Sequence, residues 1–331
     1  MLIIPDPDVA ELCTRAIVSA CGPSALTETQ SAVAEAVLAL VMGVDLCLTD
    51  LEPISAEGAA AGIEDTGLRH QVVSAMICQS LIDDQPDTDR AARIVAYAGA
   101  LGITPTMLDP MREWAKGHRR IMLVDFLRGS WHGRAFRQEL ADQGPVGIVR
   151  ELTQYEGWTE DPALAARWEG LANLPGGSWG RCVWEFYRRH GWPLPGQPHS
   201  VPYPTTHHDW VHVLSGYDAT PLGEILVCAF MAASMPPDIG FSMLFWGLSI
   251  YETADIHVVF QPGGKRTISA SPDGPAQFAD ALRRGAACTV DALDLDHFAL
   301  ASESLVELRS RFRIPPKAIH GDPESVPVLP A

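Results

Sequence analysis

Two imidazoles and two carboxylates stand at spacings that suit a divalent metal. His208 and His212 are four residues apart, one helical turn, so they project from the same helix face. Asp209 is three residues before His212 and lies at the edge of that face. The fourth group follows from hairpin geometry. Gly216-Tyr217-Asp218 breaks the helix, and Thr220-Pro221 supplies a cap and then a proline at the first position of a new one. With the turn centred near Asp218, Glu224 lies six residues after it and His212 six before. Residues equidistant from the turn of an antiparallel hairpin face each other, so Glu224 is expected beside His212. A carboxylate in a helix's first turn also suits the helix dipole. His208, Asp209, His212 and Glu224 are therefore the expected metal ligands and the candidate catalytic groups, with zinc or another divalent metal as the cofactor. The plainer reading of the same four is a hydrogen-bonded polar cluster. His207 is expected beside the site or at the surface, and His199 and His257 are read as structural or exposed.

These side chains need rigid elements behind them. Strand signals are nearly absent, helical periodicity dominates, and the expected fold class is all-α. Helices are expected over 27–40, 68–82 and 88–101, the last with Asp87-Thr88 as caps and Gly102 as its stop. Thr104-Pro105 is read as opening another, and 118–142 as a long mixed stretch. In the second half, helices are expected near 146–156, 161–173, 178–189, 205–215, 220–234, 238–257, 275–287 and 303–312. Gln143-Gly144-Pro145 marks the expected boundary between two helical domains, 1–144 and 145–318. A proline-bearing flexible tail over 319–331 follows.

Composition narrows the partners. The 331 residues are 47% hydrophobic with a formal net charge of −17. A globular protein that does not bind nucleic acid is expected, since phosphate needs a basic surface. Residues 1–100 hold fifteen carboxylates and four arginines, while 112–137 hold seven basic residues against Glu113 and Asp125. That basic stretch either balances an acidic neighbour or turns toward lipid phosphate or an acidic partner. Seven cysteines without a C-x-x-C spacing suggest a reducing compartment. The first residues lack the basic and apolar regions of a signal peptide. Ile225–Tyr251 is the most apolar stretch, yet Pro236-Pro237 and Asp238 split it into pieces too short to span a bilayer. A cytoplasmic protein is expected, in peripheral contact with the inner membrane face, and a homo-oligomer. The aromatic and methionine side chains after Glu224 could form core or line a tunnel for a long hydrocarbon ligand.

The string His208-Asp209-Trp210-Val211-His212, with Glu224 after eleven further residues, resembles the H-D-x-x-H-x(11)-E motif of the ubiquinone (coenzyme Q) biosynthesis family founded on the fourth protein of the yeast pathway. Leu174-Pro175-Gly176-Gly177-Ser178-Trp179-Gly180-Arg181 is similar to that family's segment before the motif. Leu305-Val306-Glu307-Leu308-Arg309, ending at Ile314-Pro315, is similar to its C-terminal segment. The resemblance covers about 145–318. It implies an all-helical domain with zinc at His208, Asp209, His212 and Glu224, and binding of a prenylated quinone precursor or other isoprenoid lipid. It also implies action at C1 of the ring, in decarboxylation coupled to hydroxylation, or a scaffold role among the proteins of a biosynthetic complex. Residues 25–140 resemble, more faintly, the tellurite-resistance TerB-like helical domain. Three functions are thus in view: a metal-dependent enzyme of prenylated-quinone biosynthesis, a non-enzymatic lipid-binding scaffold, and an HD-type metal phosphohydrolase.

Overall fold

Helices begin where the sequence supplies a cap. Thr27 accepts from the Gln30 amide while the Gln30 side chain takes the Thr27 amide, a capping box that opens Glu28–Val37. Asp65 and Asp87 cap Thr66–Gln79 and Thr88–Leu101. Gly102, at φ 69°, closes the latter in the left-handed region. The computed structural model describes residues 1–22, 26–83, 85–253, 256 and 263–319. His257 and the tail from residue 320 lie outside the described residues. Among the described residues there are helices and two isolated bridges, Ser178 with Ser304 and Thr253 with Lys265, but no strand. The fold is all-α, as its periodicity demands.

Some elements depart from the sequence reading. Pro105 does not start a helix: its carbonyl accepts from the Leu108 amide in a turn, and the helix runs Leu108–Ala115. The mixed stretch is two helices, Arg119–Gly129 and Trp131–Tyr155, divided at Ser130. Trp131–Tyr155 is itself interrupted at Gly144, whose φ of 67° and ψ of −173° suit the residue before Pro145. Pro7–Cys21 and Ala56–Gly62 are further helices with no counterpart in the sequence reading.

The chain forms two compact units, each discontinuous in sequence. The first comprises Met1–Trp131, Thr220–Cys288 and 316–319. Its centre is Pro221–Ser234, buried at every residue from Gly223 to Ser234, as a helix apolar on all sides must be. Two helices press on it through glycines. A Cβ on Gly247, in Pro237–Tyr251, would lie 2.9 Å from Cys228 Sγ. One on Gly285, in Gly274–Ala287, would lie 2.1 Å from the Phe230 carbonyl oxygen. In the same unit Phe126 stacks on Trp246 with centroids 4.7 Å apart.

The second unit comprises His132–Ala219 and Thr289–Pro315. Trp168, Trp179, Trp210 and Phe298 form its aromatic core, and the Trp179 indole donates to the Trp210 carbonyl at 3.2 Å. The segment around Ser178 is tied to the one around Ser304. Trp179 N donates to the Glu303 carbonyl at 2.8 Å, and Leu305 N to that of Gly177 at 3.0 Å. Among the described residues of the whole chain, no helix is long and apolar enough to cross a membrane.

Candidate metal centre

His208 and His212 sit on Thr206–Ser215 with imidazole centroids 4.4 Å apart and ring planes at 85°. Gly216 ends that helix at φ 80°. Thr220 caps the next, accepting from the Gly223 amide at 3.1 Å, with Pro221 at its first position. Glu224 therefore falls in the first turn of Pro221–Ser234. One donor atom from each of His208, His212 and Glu224 lies within 4.8 Å of the other two. Ligands about 2.0–2.2 Å from a tetrahedral zinc lie roughly 3.4 Å from each other, so the donors must close by up to roughly 1.4 Å to share one ion. Two imidazoles and a carboxylate are donors that zinc accepts, and His212 and Glu224 are buried.

The support around the imidazoles is specific. His212 Nδ1 lies 3.0 Å from the Tyr217 carbonyl oxygen. A carbonyl can only accept, so Nδ1 carries a hydrogen, and in the neutral ring that leaves the lone pair on Nε2, the tautomer that ligates through Nε2. Phe186 stacks against the same ring at 5.7 Å. The helix end is also fixed: Arg309 donates from Nε to the Leu214 carbonyl at 2.8 Å and from Nη2 to that of Val213 at 2.9 Å. A cation on the last carbonyls suits the negative end of the dipole. In the turn, buried Asp218 lies 2.8 Å from His190 Nε2 and accepts from the Ala219 amide.

Asp209, the fourth expected ligand, is not one of the three converging groups. Its Oδ2 accepts the Tyr187 hydroxyl, and its Oδ1 lies 3.7 Å from His208 Nδ1. Burial, with the Asp209 charge, pushes the Tyr187 phenol well above its usual pKa and keeps it a donor. The cause at His132 is again burial, and with the His208 charge it brings that imidazole down to about 4, so it is neutral at pH 7. Near Glu224, burial and then the Glu224 charge raise the Cys228 thiol and the Tyr251 phenol, leaving both uncharged. His207 lies at the side, its Nδ1 3.3 Å from the Leu293 carbonyl oxygen and its ring edge-on to His297. His199 has a left-handed backbone, φ 67°, and donates its amide to the Gln154 carbonyl.

Sequence spacing could not have found Tyr187, Phe186 or His132, because no local rule pairs them with residues twenty or more positions away. Arg309 carried a signal only through the similarity of its segment. The stretch Ile225–Met235 is packed core and lines no part of the cavity found in the first unit, to which Phe241 and Leu244 contribute. No protein-family model matches the chain, and no curated protein matches it. Fold and site together define a class: an all-helical protein with a His208–His212–Glu224 group that could hold a metal ion.

Proposed function

We propose that the chain is a metal-dependent protein of prenylated-quinone biosynthesis, acting at C1 of a prenylated ring precursor. The observation that supports this best is the convergence of His208, His212 and Glu224, with His212 held in the ligating tautomer by Tyr217. In this reading His208, His212 and Glu224 hold the ion, and zinc suits their nitrogen and oxygen donors. A divalent ion bound there supplies Lewis acidity to a ring carboxylate or phenolic oxygen. Three protein ligands are the usual number where a fourth position serves substrate or water. Asp209, gripped by Tyr187, orients the helix face beside His208 and is a positioning group. The protein works as a peripheral protein on the inner membrane face, where a prenyl tail is at hand, alone as a homo-oligomer or with other enzymes of the pathway.

The test is incubation of zinc-loaded protein with an isolated prenylated ring carboxylic acid, with product read by mass spectrometry. Loss of the C1 carboxylate at a rate abolished by His212→Gln supports an enzyme. Stoichiometric binding without turnover would overturn the catalytic reading and leave a lipid-presenting scaffold.

A further inference from the structure

The first unit encloses an apolar cavity of about 120 Å³, distinct in its residues from the metal ligands. Its walls come from Pro7–Cys21, the stretch Glu28–Met42, Thr66–Gln79, Pro237–Tyr251 and Gly274–Ala287. Along one wall the lining residues Leu68, Val72, Ala75 and Cys78 of Thr66–Gln79 recur at helical spacing over ten positions. At 1.5 Å per residue that stripe runs roughly 15 Å. A cavity of that volume beside an apolar stripe of that length suits one hydrocarbon chain.

The chemistry of the wall is equally selective. No charged side chain lines it. Three polar side chains do, and each is turned to backbone. Gln71 exchanges two hydrogen bonds with Ile3, Gln79 donates to the Gln30 carbonyl, and Thr14 donates to that of Ala10. Burial pushes the Cys13 thiol up to about 12 and Cys78 higher, so both face the cavity as neutral small hydrophobes. A ligand here meets neither a charge nor a polar group seeking a partner. Seven lining residues, Leu2, Pro5, Ile17, Ala34, Val37, Met42 and Ala75, keep partial exposure, so the cavity has a mouth among them. Beside that mouth, Leu38–Met42 forms a π-helical turn that departs from the α-helix before it, a distortion frequent at functional sites. Interiors are otherwise packed with few voids larger than a water. Engineered apolar cavities of roughly this size, about 150 Å³, stay dry and take up benzene-sized ligands.

We propose that this cavity is a binding site for the end of a single flexible hydrocarbon chain, the tail of an acyl or isoprenoid lipid, with the polar head left outside the mouth. The proposal stands apart from the metal reading, since none of His208, His212 and Glu224 lines the cavity. The experiment is titration of the full-length, chelator-treated protein with straight-chain fatty acids of increasing length and, in parallel, with isoprenoid alcohols, followed by calorimetry and native mass spectrometry. We expect one chain per protein, with affinity rising about fourfold per methylene until the cavity is filled and level thereafter. Whichever series binds more tightly identifies the source of the tail. Ala75→Phe fills the channel from one wall and Ala34→Phe from another; either variant, folded by circular dichroism, should weaken binding at least tenfold. Absence of saturable binding by both series overturns the proposal. So does undiminished binding by a folded variant of either kind.

Discussion

Replacing Glu224 by Gln separates a metal ligand from a merely structural carboxylate. Glutamine keeps the volume and removes a buried charge, and desolvation makes such a charge costly to hold. Melting both proteins in chelator sets the baseline without metal. At zinc a hundredfold above the wild-type Kd, binding stabilises the native state by about 2.7 kcal/mol. Loss of a partner behind a ligand already weakens metal affinity about 10–100-fold, so loss of a ligand should cost at least the upper figure. The variant then gains only about 0.4 kcal/mol at the same zinc concentration. The difference is about 2.3 kcal/mol, or roughly 5 °C in Tm at about 2 °C per kcal/mol for a chain of this size. Differential scanning fluorimetry with and without chelator reads it. Equal zinc-induced shifts in both proteins would refute a ligand role for Glu224, as would a variant that melts lower by the same amount in both conditions.

Other side chains give independent tests. Tyr187→Phe removes the hydroxyl that Asp209 accepts; we expect stability to fall by about 1.5–3 kcal/mol, read by urea unfolding. Gly285→Ala drives a Cβ to 2.1 Å from the Phe230 carbonyl oxygen, so we expect a loss of about 1–3 kcal/mol or more in the same urea assay. Glu252 is fully buried, and burial raises its pKa from 4.5 to about 7 although the Ile268 and Asp83 amides donate to it. Its folded-state pKa exceeds the unfolded one, so the folded state binds the extra proton between them. The contribution of Glu252 is then most favourable below pH 4.5 and is lost as pH rises through 7, by ~3 kcal/mol in all. Glu252→Gln should remove that slope: wild-type stability minus variant stability falls by ~3 kcal/mol between pH 4.5 and 8, and a constant difference would contradict the assignment.

Much of the hairpin was legible because its signals are local. Gly216, Thr220 and Pro221 fix where one helix stops and the next begins, and with those ends set, simple counting brings Glu224 to the imidazole pair. Asp87 and Gly102 mark their helix ends in the same way. Asp209 shows the limit of counting. Its place beside His208 in sequence suggested a ligand, whereas the Tyr187 hydroxyl, contributed by another helix, takes one of its oxygens. Pro105 shows another limit, since a proline suits a turn as well as a first helical position, and only packing decides. The π-helical turn at Leu38–Met42 and the contact of Gly285 with Phe230 depend on what lies opposite in space, which no spacing along the chain encodes.

X-ray absorption at the zinc edge of the full chain, combined with metal analysis, tests the central claim most directly. One zinc per chain is expected, with two imidazole nitrogens and carboxylate oxygen at about 2.0–2.2 Å and the imidazole scattering halved in His208→Ala. Zinc absent after loading, or a first shell without imidazole, would contradict the account.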